Sequence, residues 1–253
     1  MVWTEVCLCD GGGMAEPHDT GRVLDRDLAP VASLIGDPTR IAILCALAEG
    51  HCLPAGELAH RAGVHPATAT AHLRQLVDGG LVTVRAQGRH RDHELAGPHV
   101  AAVIEALAQL APPTPVRSLR TDRAARSLAE ARTCYDHIAG RRGVELRERL
   151  LDAEALQMVD GRDHRLTAHG HELMNALGID AAQPNTKRRV FARDCVDWTQ
   201  RRPHLAGALP ALLTRRFLEL GWISRGTGRS LRVARDYDDR VDAWLASSMR
   251  VSP

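Results

Sequence analysis

The chain has 253 residues, enough for one or two domains with a substantial core. With 44% hydrophobic and 25% charged residues, and no apolar run near the ~20 residues of a membrane span, it is neither a disordered nor fibrous chain nor a membrane protein. Its 33 basic and 31 acidic residues leave a net charge of +2, so total charge does not point to nucleic acid and any such role must come from local patches.

The opening MVWTEVCLCDGGG lacks the cationic region, apolar run and cleavage site of a secretory signal, so the expected compartment is the cytoplasm. Residues 1–22 are expected to form a disordered tail, and either Met1 or Met14 can serve as the start. The six cysteines contain no CxxC and do not resemble a disulfide framework. Cys7 and Cys9, a CxC in that tail, are read as bystanders.

Asp37 can cap a helix whose first turn takes Pro38, and Ile41, Leu44, Cys45 and Ala48 then fall on one apolar stripe ending near Gly50. A short helix over residues 55–61, a break at Ala62-Gly63-Val64 and a helix over 66–77 form a helix-turn-helix pattern. Residues 81–85 and 90–95, around Gln87-Gly88, read as a basic hairpin, so residues 23–110 are expected to be a winged helix-turn-helix for DNA binding and dimerisation. A helix over 98–110 places Val100, Val103, Ile104, Leu107 and Leu110 on one face, and Pro-rich residues 111–117 are the expected linker.

On the helix from Pro66, residues Ala69, Leu73, Leu76 and Val77 form the buried stripe. Thr68, Thr70, Arg74 and Gln75 lie on the opposite side with His72 at the edge, a small polar face that suits a major groove. Exposed polar faces are also ordinary on soluble helices. The hairpin tips the balance, because Arg85, Arg89 and Arg91 cluster where a wing would meet phosphates.

The segments LIGDPTRIAILCALAEG, GELAHRAGVHPATATAHLRQLVDGGLV and QGRHRDHEL resemble the ArsR/SmtB winged-helix repressors over about residues 30–110. The resemblance implies a homodimer, paired through the helices at about 24–35 and 98–110, that binds double-stranded operator DNA and represses until an effector acts. It does not carry over the family's metal sites. Pro54 and Gly56 stand where a CxC would be, with Cys52 offset and alone, and His99 has Leu110 where a partner histidine is needed. Pro66, Ala67 and Ala71 replace polar positions of the family's reading helix, and His93 stands at the wing position where an aromatic is common.

Beyond the linker, an ungapped shift of 67 residues matches His137-Ile138-Ala139-Gly140 to His204-Leu205-Ala206-Gly207 and Gly161-Arg162 to Gly228-Arg229. Each copy is expected to run helix, helix, hairpin, helix, giving two winged-helix-like units at 118–178 and 187–246 on a mainly α chain with small hairpins. The blocks CYDHIAG and CVDWTQRRPHLAG are similar to those of family members with a C-terminal extension. That half is expected to sense an unidentified small molecule, with Cys134, His137, Cys195, Asp197, Trp198 and His204 as the candidate effector residues.

On a helix Cys134 and His137 would share a face at i, i+3, and Cys195 and His204 could complete a Cys2His2 metal set. The alternative function is thus a metal- or redox-sensing protein centred on these four. Core packing of the two cysteines is the favoured reading, so no cofactor is expected. Asp194 and Asp197 beside Arg193, Arg201 and Arg202 read as an interdomain charge cluster around Trp198. No P-loop, GxSxG or HExxH motif occurs, so no enzyme is expected.

Overall fold

A computed structural model describes residues 26–49, 52–87, 90–112, 118–180 and 189–247. The expected tail of residues 1–22, and residues 113–117 of the expected linker, lie outside the described residues. The N-terminal part runs α1 (Ala29–Ile35), α2 (Pro38–Leu47), β1 (Leu53–Pro54), α3 (Ala55–Ala62), α4 (Pro66–Asp78), β2 (Val82–Gln87), β3 (His90–Leu95) and α5 (Pro98–Leu110). The Asp37 carboxylate caps α2, accepting from the amides of Thr39 and Arg40 at 2.9 Å. Gly63, with φ of 66°, makes the left-handed break between α3 and α4 that a Cβ would strain.

Leu58 of α3, Leu73 and Leu76 of α4, Val82 and Leu95 of the hairpin, and Val100 and Ile104 of α5 close around Ile43, Leu44 and Leu47 of α2. The expected single stripe on α2 is corrected: Ile43, Ala46 and Leu47 are buried while Ile41 and Cys45 are only half-buried. Packed against α3, α4 and β3, this helix is covered over a broad arc. The wing has three strands in the order β1-β3-β2, with Leu53 opposite His93.

The C-terminal part runs α6 (Leu119–Glu130), β4 (Arg132–Cys134), β5 (His137–Ala139), α7 (Arg141–Asp152), β6 (Leu156–Asp160), β7 (Asp163–Leu166) and α8 (Ala168–Ala176). It continues with β8 (Arg193–Val196), β9 (Pro203–Ala206), α9 (Ala208–Glu219), β10 (Ile223–Arg225), β11 (Leu231–Val233) and α10 (Tyr237–Leu245). The shift of 67 residues carries α7 onto α9 end to end. The order within each copy differs from expectation: in the first a two-stranded hairpin, β4–β5, is inserted between α6 and α7, and in the second the hairpin β8–β9 precedes α9 with no helix ahead of it among the described residues. Tyr135, at φ of 61°, turns the chain between Cys134 and His137.

The copies also interlock. Strand β7 of the first pairs with β8 of the second in a sheet ordered β6-β7-β8-β9, and Arg132 of β4 bridges to Ser230 beside β11. One core therefore serves both, from Ile138, Leu146 and Leu150 through Leu205 and Leu213 to Phe217, Val241 and Trp244. Among the described residues no single helix is long and apolar enough to cross a membrane.

Candidate functional site

Helix α4 presents Thr68, Thr70, Arg74 and Gln75 to solvent and buries Ala69, Leu73 and Leu76. The helix is held by its neighbours. Arg40 of α2 donates to the Gln75 side-chain oxygen at 2.5 Å and to the carbonyls of Leu34 and Ser33, tying α1, α2 and α4 together. His72 is half-buried, its Nδ1 3.7 Å from the Asp37 carboxylate. Thr70 donates its hydroxyl to the carbonyl of Pro66, and Arg74 lies 3.8 Å from Asp78 one turn on. On the wing, Arg85 is exposed and paired with Glu94 at 3.2 Å, Arg91 is exposed, and Arg89 lies outside the described residues.

The second constellation is internal. The β4–β5 hairpin sets Cys134 directly opposite His137, and the β8–β9 hairpin sets Cys195 directly opposite His204. The copies face each other, so the two imidazole centroids are 5.3 Å apart. The Cys134 Sγ and one ring nitrogen from each histidine all lie within 4.8 Å of one another. Cys134, His137 and His204 are buried and Cys195 is half-buried.

None of the four ring nitrogens has a hydrogen-bond partner. The nearest carboxylates, Asp136 to His137 Nδ1 and Asp197 to His204 Nδ1, are each 3.5 Å away without hydrogen-bonding alignment. The Cys134 thiol is the main influence holding the Cys195 thiol far below the ordinary thiol range, with His137 and His204 adding to it against burial. Cys134 is pushed the other way, by Cys195 first and by burial second. Burial lowers the basicity of His137, but Asp136 and Cys195 carry it above the usual histidine value.

This cluster is joined to the N-terminal part by buried charges. Arg132, with no exposed side-chain surface, pairs with Glu105 of α5 at 2.8 Å and with Asp197 at 3.0 Å, and its guanidinium carbon stands 5.0 Å from the Trp198 ring centroid. Glu105 takes a second cation, Arg229, at 2.6 Å. Asp197 also accepts from the Gly140 amide at 2.6 Å and from the Thr199 amide and hydroxyl. Burial would raise its pKa, yet Arg132 and these donors bring it down to about 2. Two backbone and amide contacts reinforce the junction, from the Tyr135 amide to the Ala48 carbonyl at 3.2 Å and from the Gln109 side chain to the Val196 carbonyl at 3.1 Å.

A helix-turn-helix domain model matches residues 35–85. YdfF of Bacillus subtilis, an uncharacterized HTH-type transcriptional regulator, is 42% identical over 202 residues, which cover 80% of this chain and 89% of that protein. The chain belongs to the ArsR/SmtB-type winged helix-turn-helix transcriptional regulators. A match of that length cannot be confined to the N-terminal part, so YdfF shares much of the C-terminal extension as well. CmtR of Mycobacterium tuberculosis, an HTH-type transcriptional regulator, is 37% identical over 83 residues, covering 33% of this chain and 70% of its own. Its solved structure, described as a cadmium metal-sensor, aligns with 33% identity over 37% of this chain and all of that one, at a TM-score of 0.30.

These relatives are regulators, not enzymes. Among the described residues, those chosen from the sequence fall into two groups: Thr68, Thr70, Arg74, Gln75, Arg85 and Arg91 exposed with His72 half-buried, and Cys134, His137 and His204 buried together with half-buried Cys195, with Asp197 and Trp198 beside them. The helical spacing used to join Cys134 to His137 was the wrong geometry; they meet across a hairpin. Glu105, Arg132, Arg229 and Asp136 were missed. One signal was available, since Glu105 is the only carboxylate in α5 and follows Ile104 on its apolar side.

Proposed function

We propose that this regulator is a cytoplasmic homodimeric repressor that reads operator DNA with α4 and its wing and releases it in response to an effector bound in the C-terminal half. The observation that carries the reading is the buried Glu105–Arg132–Asp197 network, through which a change at the β8–β9 hairpin is felt on α5. Thr68, Thr70, Arg74 and Gln75 are the base-edge side chains, with His72 at the margin, and Arg85, Arg89 and Arg91 contact phosphates. The dimer rests on apolar surface left exposed by one chain: Val103, Leu107 and Leu110 of α5, with Leu28 and Val31 at α1.

The test is fluorescence anisotropy on duplexes tiled across the region upstream of this gene. Saturable binding to one duplex, at least ~10^3-fold tighter than to scrambled DNA at physiological salt, is expected. Equal binding to all duplexes would overturn the reading.

A further inference from the structure

We propose that Cys134, His137, Cys195 and His204 form a tetrahedral site for one divalent cation of the zinc class, and that this cation is the effector of the regulator. The second half of the inference rests on the DNA-binding reading above; the first half does not.

Core packing does not explain the cluster. Two buried imidazoles leave four ring nitrogens without partners, whereas buried polar atoms in folded proteins are nearly always satisfied and an orphan costs about 1–3 kcal/mol. Both rings also converge on the same thiol, within 4.8 Å. Cys134, His137 and His204 already converge, and Cys195, directly opposite His204 on β8 but outside that close group, would complete the two-thiolate, two-imidazole set that zinc takes in tetrahedral structural sites.

The surroundings fit the same assignment. Asp136 and Asp197 stand 3.5 Å from the Nδ1 atoms of His137 and His204, leaving Nε2 of each ring for a ligand. A carboxylate behind a metal-bound imidazole fixes its tautomer and raises its basicity. Those carboxylates are themselves anchored, Asp136 by Arg189 through two bonds of 2.5 and 2.6 Å and Asp197 by Arg132. On binding, both cysteines ligate as thiolates and both histidines as neutral imidazoles, and whatever protons the four side chains held pass to solvent. Two thiolates and one divalent cation cancel, so a loaded site adds no net charge to the interior.

The half-buried Cys195, beside exposed Val196, gives the ion a way in. Coupling to the reader follows from position. His204 and Arg132 share Asp197, and Arg132 shares Glu105 with Arg229, so seating an ion on His204 bears on α5 through two buried carboxylates.

The experiment uses the full chain, reduced and stripped of metal, titrated with Co(II) in the absence of DNA. One equivalent per chain, with thiolate-to-metal charge transfer and the intense visible bands of tetrahedral Co(II), displaced by Zn(II), is expected. Cys134→Ser and Cys195→Ser should each lose the charge-transfer intensity, with circular dichroism confirming that the variants are folded. A folded, reduced wild-type chain that takes up no Co(II), or takes it up with a weak octahedral spectrum unchanged in both variants, would overturn the site. So would a Cys134–Cys195 disulfide that forms readily in a chain with no affinity for Zn(II) when reduced.

The effector half is read on whichever duplex the stripped protein binds. A change in affinity of about 5–150-fold with one equivalent of Zn(II), the usual range of allosteric coupling, is expected in wild type and absent in Cys195→Ser. Equal affinities with and without Zn(II) would overturn the effector role. If the stripped protein selects no duplex, the DNA-binding reading fails by itself and the Co(II) result stands independently.

Discussion

Glu105 of α5 and Arg132 of β4 meet at 2.8 Å with both side chains sealed from water, although a proline-rich segment separates them in the chain. A fully buried arginine is tolerable only because Glu105 and Asp197 neutralise it through its two terminal nitrogens. The contact makes the last helix of the reading domain part of the C-terminal domain's charge balance. The two parts of this regulator are therefore one mechanical object at that point, not beads on a linker.

Removing Arg132 should expose the strength of the junction. Arg132→Ala leaves Asp197 without its cation and Glu105 with Arg229 alone, and breaking a buried pair by deleting one partner costs about 3–5 kcal/mol. The expected result is a lower urea midpoint. Loss of less than about 1 kcal/mol, the worth of a surface pair, would mean that water reaches the junction.

The exposed face of α5 gives a prediction about assembly. Val103, Leu107 and Leu110 are 43%, 38% and 84% exposed in a single chain, so a charge placed there should leave the monomer fold intact. Leu107→Glu should shift sedimentation from dimer to monomer and weaken operator binding together, because two half-sites must be held by one assembly. A dimer that persists in this variant would move the interface elsewhere.

The winged helix was legible because its signals are local: a carboxylate and proline at a helix start, a glycine between two helices, and alternation across a hairpin. The Cys and His cluster was half legible. Its four residue types stand out in the sequence, but a Cys-x-x-His spacing fits one helix face or one tight hairpin equally well. No glycine or asparagine marks the turn, since Tyr135 itself adopts the left-handed conformation. The internal repeat, visible as matched residues, located α7 and α9 but not the exchange of strands between copies. The 132–105–197 network was illegible for a simpler reason: a buried charge looks like any other charge until its partners, distant in sequence, are brought to it.

His93 gives the wing an acid dependence. It sits half-buried in the central strand opposite Leu53, and burial lowers its pKa below the ordinary 6.5, partly offset by the Leu53 backbone and Asp92. With the folded value depressed, the unfolded chain binds the proton more readily. The stability of the wing is then full above pH 6.5 and declines as pH falls below it towards the folded pKa. Titration of the His93 ring proton by NMR should place its midpoint below 6.5, and His93→Phe should flatten this part of the pH profile. A midpoint at or above 6.5 would contradict the burial argument.

The reading head should separate into two kinds of contact. Arg91 is exposed on the wing and has a phosphate as its natural partner, so Arg91→Ala should weaken binding to every duplex and lower the slope of log affinity against log salt by about one. Arg74, exposed on α4 and only loosely associated with Asp78 at 3.8 Å, is free to reach a base edge. Arg74→Ala should cost about 1–3 kcal/mol at one base pair and relax the preference there, leaving other positions unchanged. The measurement is anisotropy on an operator and its single-base variants at several salt concentrations. If Arg74→Ala lowers affinity uniformly and changes the salt slope as Arg91→Ala does, α4 grips the backbone in this protein and sequence is read elsewhere.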